Sequence, residues 1–195
     1  MPSLTYQEAL DYLYSFLDTE RKLPRRPAEL NLPRTAGLLA ALGDPQQALP
    51  SVVIAGTKGK GSTSVMIEAI VRAAGLHTGL WTSPHLHSYR ERIQVDRRLI
   101  TQAELIDQVE TLQPVVAAFA QGPHGAPTVF ELGFAIALRF FAAQAVDLAI
   151  LEVGLGGRYD SANVVVPQLS VITSISYDHM HVLGDTLRHH FRRAC

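Results

Sequence analysis

The chain has 195 residues, enough for one α/β domain with a full core, and its net charge is −1. So even a balance leaves no footprint for nucleic acid or for an anionic membrane surface. The only cysteine, Cys195, excludes an internal disulfide and fits a reducing, cytoplasmic setting.

Met1 to Glu20 has no apolar core of signal type, because Asp11 and Asp18 interrupt it. Thr5-Tyr6-Gln7-Glu8 is a capping box, and Leu10, Leu13, Tyr14 and Leu17 follow on one helical face. Arg21 to Arg26, with Pro24 and Pro27, reads as a solvated loop. A second helix is expected over Arg34 to Leu42, ended by Gly43 and Pro45.

Ser51-Val52-Val53-Ile54-Ala55 has the β-branched character of a buried parallel strand. It runs into Gly56-Thr57-Lys58-Gly59-Lys60-Gly61-Ser62-Thr63 and then a helix, Ser64 to Ala74, stopped by Gly75. Gly56, Gly59 and Gly61 allow positive φ and close approach of the backbone to a ligand. A loop that ends at a helix N-terminus favours an anion, Lys60 adds a positive charge, and Ser62 or Thr63 offers a hydroxyl for Mg²⁺. The spacing is not the standard phosphate-loop one, since two residues rather than four separate Gly56 from Gly59-Lys60. A glycine-rich surface turn is the alternative; the flanking strand and helix favour a cradle for nucleotide phosphates.

His77 to Trp81 reads as a second strand, leading to the loop Thr82-Ser83-Pro84-His85, where Pro84 keeps Ser83 out of the helical region. Glu91 to Val95 and Arg98 to Ile100 form a hairpin around Asp96-Arg97. Thr101-Gln102-Ala103-Glu104 caps a helix reaching Phe119, and Gln121 to Pro127 is a loop. Thr128-Val129-Phe130-Glu131 is a third capping box, with Ala135 to Ala143 helical. Leu132 to Leu151 is broken by Arg139, Gln144 and Asp147 and is no membrane span. Val146 to Val153 is a third strand, followed by Gly154-Leu155-Gly156-Gly157-Arg158; Leu169 to Ile175 is a fourth, followed by Ser176-Tyr177-Asp178-His179. Strands alternating with helices imply a doubly wound, mainly parallel sheet flanked by helices.

In such a sheet, ligands bind beyond the carboxyl ends of the strands, at a topological switch point. Ser62, Ser83, Glu152 and His179 all sit at such ends. Hydroxyls, a carboxylate and phosphate oxygens suit Mg²⁺, and a carboxylate closing a buried strand is costly unless it meets a cation. Each has a plainer alternative. Ser83 caps a turn, Glu152 pairs with Arg158, and His179 is a loop residue, since imidazole is a poor Mg²⁺ ligand. Asp178 caps, orients His179, or does neither. His85, His87, His124 and His181 read as solvated or structural.

These motifs, taken together, resemble folylpolyglutamate synthase/dihydrofolate synthase, a branch of the Mur ligase superfamily of ATP-dependent amide ligases. The resemblance rests on Gly56 to Ser62, Thr82-Ser83-Pro84-His85-Leu86, Arg90-Glu91-Arg92-Ile93 and Thr128 to Glu131. It continues in Leu151 to Arg158 with Asp160 and Asn163, and in Asp178-His179 before Leu183-Gly184. It implies a P-loop-type central ATPase domain that adds L-glutamate to dihydropteroate or a folate through an acyl phosphate. It further implies that Gly56, Thr57, Gly59, Lys60, Gly61 and Ser62 bind ATP and that Lys60, Glu152 and His179 are catalytic. Ser62, Ser83, Glu152 and His179 are implied as Mg²⁺ ligands, and Thr82, Thr128, Phe130, Glu131 and Arg158 as substrate-binding. A monomer is expected at full length, with neither nucleic acid nor membrane as partner.

The family pattern continues with a helix carrying a carbamylated lysine, whereas no lysine follows Lys60 here. Residues 188–195 read as an atypical tail without helical pattern after a domain of residues 1–187, with the family's C-terminal ligase domain absent. The expectation is therefore a truncated ligase that does not ligate alone. The alternative is a non-catalytic Mg-ATP-binding module or truncated gene product; a P-loop kinase or GTPase fits the metal motif less well.

Overall fold

The computed structural model describes residues 4–22 and 30–194. Most of the predicted Arg21 to Arg26 loop lies outside them; Arg21 and Lys22 are exposed. Helix α1 (Tyr6–Tyr14) starts at the predicted capping box, in which Thr5 and Glu8 exchange side-chain and backbone hydrogen bonds. It buries Ala9 and Leu13. Leu17 lies beyond its end and is exposed, so the predicted apolar face stops one turn short. Helix α2 (Leu32–Ala41) begins two residues before the predicted Arg34, capped by the Asn31 side chain.

Strand β1 (Ser51–Ala55) is followed by α3 (Lys60–Ala73), β2 (Thr78–Trp81), β3 (Ile93–Val95) and β4 (Arg98–Leu99). Then come α4 (Gln102–Phe119), α5 (Val129–Ala143), β5 (Leu148–Glu152), β6 (Leu169–Ile172), α6 (Met180–Leu183) and α7 (Leu187–Ala194). The six strands form one sheet in the order β4-β3-β2-β5-β1-β6. Strands β2, β5, β1 and β6 are parallel, and the β3–β4 hairpin adds an antiparallel edge. This is the doubly wound, mainly parallel α/β sheet expected.

Alternation along the strands divides the core in two. Val52, Ile54, Leu80 and Ile150 face α3, against Val65 and Ile67. Ala55, Trp81, Ala149 and Leu151 face the larger cluster built on α1, α2, α4 and α5. Helix α5 is apolar on nearly every side and almost wholly buried, as a helix held within that larger cluster must be. Its N-terminus and that of α4 both carry the predicted boxes, Thr128 with Glu131 and Thr101 with Glu104.

Several further features differ from expectation, α5 beginning at Val129 rather than Ala135 and β6 ending at Ile172 rather than Ile175 among them. Helix α3 starts at Lys60, four residues early, because Gly59 takes a left-handed turn (φ 83°, ψ 2°) and the Thr63 amide already donates to its carbonyl. Gly56 and Gly59 have positive φ, but Gly61 does not; it lies inside the first helical turn. Of residues 188–195, expected to lack helical pattern, those up to Ala194 lie in α7, whose His190 is buried while Arg188 and Arg192 are exposed. No described helix is long and apolar enough to cross a membrane.

Candidate functional site

The parallel strands deliver their carboxyl ends to one rim. Strand β1 leaves toward α3 on one face, whereas β5 leaves into the Gly154–Val165 loop, whose 161–164 turn packs on α2 and α5 on the other. Adjacent strands sending their chains to opposite faces open a crevice between β1 and β5. Gly56 marks the exit of β1. Its φ is 132°, and a Cβ added there would lie 2.1 Å from Thr173 Oγ1, so the position has no room for a side chain.

Lys60 opens α3 beside this crevice. Glu152 ends β5, is 5% exposed, and accepts a hydrogen bond at Oε2 from the Ser83 amide at 3.1 Å. The Gly61 amide is near the same carboxylate and favours its charged form. Gly61 keeps its side clear: a Cβ there would sit 3.5 Å from both Glu152 oxygens. Burial pushes the Glu152 carboxyl above the usual range, opposed by the Ser83 amide and the Lys60 charge; Asp160 adds to the upward push. The Glu152–Arg158 pair is not formed. Arg158 is exposed, its amide donates to the Arg193 carbonyl, and its own carbonyl accepts from Asn163.

A cavity of about 340 Å³ opens on this rim, lined by Lys60, Ser83, Phe130, Leu155, Asp160 and His179 among others. That volume is at the lower end of the range for a small-molecule site. Phe130 forms an apolar wall, set edge-on against Trp81. A second, smaller cavity next to it is lined by Gly56, Thr57, Lys60, Asp178, His179 and His190. His179 borders both, and it holds a left-handed backbone (φ 44°, ψ 41°), a strained conformation for a residue with a side chain. Asp178 answers the open question about itself: its carboxylate accepts the His179 amide at 2.8 Å and lies 3.6 Å from the ring Nε2.

Other predicted site residues are exposed or have partners within the fold. Ser62 is exposed on the first turn of α3 and lines neither cavity. Thr57 spends its amide on the Ser174 carbonyl and its hydroxyl on Ser176. Thr82 continues the sheet edge through its amide to Arg92. Thr128 and Glu131 serve as the α5 cap, and Glu131 is further held by Arg34 Nε at 2.7 Å. His85 accepts from Arg92 Nε, while His124 stacks on Phe119, so both are structural.

Two residues that local pattern did not single out, Asp160 on the rim and Arg34 behind it at the α5 cap, support the site. Asp160, 3% exposed, accepts from the amides of Gly154, Leu155 and Ala162 and so folds the glycine-rich loop after β5. Its position before a short turn is an Asx-cap signal that the sequence does carry. Arg34 has no such signal, because its partner lies 97 residues away.

The oxygen donors Ser83 and Glu152 suit a hard divalent cation. Glu152 is a buried carboxylate that forms no ion pair within 4 Å among the described residues, which is the situation a cation relieves. Among the described residues no three His, Cys, Asp or Glu side chains gather into a metal cluster, so this donor set relies on hydroxyl and ligand oxygens.

Residues 54–189 match the model of the Mur ligase middle domain. A probable bifunctional folylpolyglutamate synthase/dihydropteroate synthase of Halobacterium salinarum is 46% identical over 185 residues, covering 94% of this chain and 22% of that protein. Dihydrofolate synthase/folylpolyglutamate synthase of Bacillus subtilis is 41% identical over 183 residues, covering 93% and 41%. Among solved structures, an FPGS–AMPPCP–folate complex superposes with a TM-score of 0.89 at 34% identity, covering 98% of this chain and 45% of that one. Folylpolyglutamate synthase of Mycobacterium tuberculosis with ADP gives 0.86 at 36% identity, covering 97% and 41%. The chain thus spans less than half the length of these relatives. With the family model covering most of its length, and the glycine loop and β5 carboxylate inside the match, the chain belongs to the Mur ligase family through its middle domain.

Proposed function

We propose that this chain supplies the nucleotide-phosphate site of an ATP-dependent ligase that joins L-glutamate to dihydropteroate or a folate. The meeting of Lys60, Ser83 and Glu152 at the tips of neighbouring strands carries the reading, and the names of the relatives supply the substrate class. Residues 1–187 would form part of the ATP-binding domain of a cytoplasmic enzyme.

The chemistry needs activation, because a carboxylate is a poor electrophile at neutral pH. A substrate carboxylate oxygen attacks the γ-phosphorus of ATP, and ADP leaves. The glutamate amine then attacks the acyl phosphate carbonyl, inorganic phosphate leaves, and the amine proton is released. Lys60 and the N-terminal end of the α3 dipole offset the charge on the phosphoryl oxygens. Ser83 and Glu152 would hold Mg²⁺, which would supply positive charge to offset that developing on the phosphoryl oxygens. His179 borders the same cavity. Phe130 and Leu155 give an apolar wall against which a flat ring can pack, and Asp160 keeps the loop that shapes it.

Titration calorimetry of the chain with Mg-ATP, repeated on Lys60→Ala, tests the reading. Removing a charge-assisted phosphate contact is expected to weaken binding by about tenfold or more. Equal binding by both proteins overturns it.

A further inference from the structure

We propose that Thr57 is a positioning residue that locks the Asp178–His179 turn to the glycine loop; its effect on nucleotide binding rests on the reading given above. The Thr57 amide donates to the Ser174 carbonyl at 2.7 Å. Its hydroxyl donates to the Ser176 carbonyl and accepts from the Ser176 amide, both at 3.1 Å. A hydroxyl has one proton, so none is left for a ligand. The next residue is held the same way, with the Lys58 carbonyl accepting from Thr173 Oγ1 at 2.8 Å and Ser174 Oγ at 3.2 Å.

The segment that Thr57 grips needs an anchor. His179 is left-handed without being glycine, and such a backbone persists only where its surroundings over-determine it. Between the end of β6 at Ile172 and the start of α6 at Met180 the only regular pairing among the described residues is one isolated bridge of Ser174 with Lys58, and none follows Ser174. Ser176 Oγ is buried without a partner, so that residue is held through its backbone alone, and Thr57 is the side chain that holds it. Thr57 and His179 also line the same small cavity with Lys60. The consequence is that the phosphate cradle and the imidazole move as one body.

Thr57→Val keeps the branched shape and deletes the hydroxyl, whereas Thr57→Ser keeps the hydroxyl. Hydrogen exchange on the ligand-free chain should be about tenfold faster at residues 176–183 in Thr57→Val and near the original rate in Thr57→Ser. Mg-ATP affinity should fall about tenfold in Thr57→Val, and His179→Ala should then add little, a non-additive cycle. Unchanged exchange, or effects of Thr57→Val and His179→Ala that simply multiply, overturns the proposal. If the unaltered chain binds no Mg-ATP, the nucleotide reading fails by itself, and the positioning claim stands or falls on the exchange data. Should Thr57→Val not fold, Thr57→Cys, a weak hydrogen bonder of similar volume, is read in the same way.

Discussion

The Ser83 amide donates to Oε2 of Glu152 at 3.1 Å, tying together the tips of the parallel neighbours β2 and β5. The donor is main chain, so the tie does not consume the Ser83 hydroxyl, and that hydroxyl and the carboxylate both remain at the crevice. The proposed function assigns this buried carboxylate, whose pKa burial raises, to a ligand rather than to stability.

Glu152→Gln should therefore separate stability from binding. The amide removes a buried charge but offers one acceptor to two N–H groups, so unfolding free energy should stay within about 1 kcal/mol of the original. The dependence of ATP affinity on Mg²⁺ should disappear. Thermal unfolding and calorimetry with and without Mg²⁺ read both quantities. A destabilised variant that still binds Mg-ATP normally would show that Glu152 is structural.

Two of the phosphate-loop glycines, Gly56 and Gly61, should respond in opposite ways. At Gly56 an added Cβ meets Thr173 Oγ1 at 2.1 Å and the backbone has φ 132°, so Gly56→Ala should destabilise by about 2–4 kcal/mol. Gly61 is helical, and a Cβ there makes ordinary contacts at 3.5 Å, so Gly61→Ala should be neutral or stabilising by up to about 1 kcal/mol. Denaturant midpoints of the two variants decide this, and equal losses would contradict it.

Glu131 tests whether a capping box and a substrate contact can be told apart. Its carboxylate accepts the Thr128 amide and the Arg34 guanidinium in a site where both side chains are mostly buried. Glu131→Gln keeps a capping acceptor and should lose about 1–2 kcal/mol, while Glu131→Ala strands Arg34 and should lose about 3 kcal/mol or more. Urea unfolding measures both. Losses under 0.5 kcal/mol, roughly the surface-substitution level, would mean the residue is held in place for something other than the fold.

What could be read from the sequence was what is local. The three capping boxes at Thr5, Thr101 and Thr128 formed because each needs only residues three apart. The sheet followed from apolar runs ended by glycine. The convergence of Ser83 and Glu152 was legible from topology alone, since parallel strands deliver their ends to one rim. The start of α3 was misplaced because a left-handed Gly59 begins a helix as readily as it continues a loop. The use of Thr57 was hidden, because its partner Ser176 lies 119 residues on. The same holds for Arg34 and Glu131, which no local pattern pairs.

Asp160 sets a pH dependence. Burial pushes its carboxyl up to about 6, against the opposing amides of Ala162, Leu155 and Gly154 and the Lys60 charge. In an unfolded chain aspartate titrates near 3.9, roughly two pH units lower. The folded state therefore holds the proton more tightly, so this group favours folding most below about pH 4 and its contribution falls as pH rises to about 6. The full swing is about 3 kcal/mol. Glu152 acts in the same direction and Asp96, whose pKa is lowered, in the opposite one, so the total curve does not isolate Asp160. Asp160→Asn does. It shifts stability by a constant for its lost acceptor oxygen, but it cannot titrate. Unfolding free energies of both proteins from pH 4 to 7 should give a difference, variant minus original, that climbs by about 3 kcal/mol and levels off above pH 6. A flat or falling difference would mean that the buried carboxylate is ionised at no cost, and that the loop after β5 is open to water in solution.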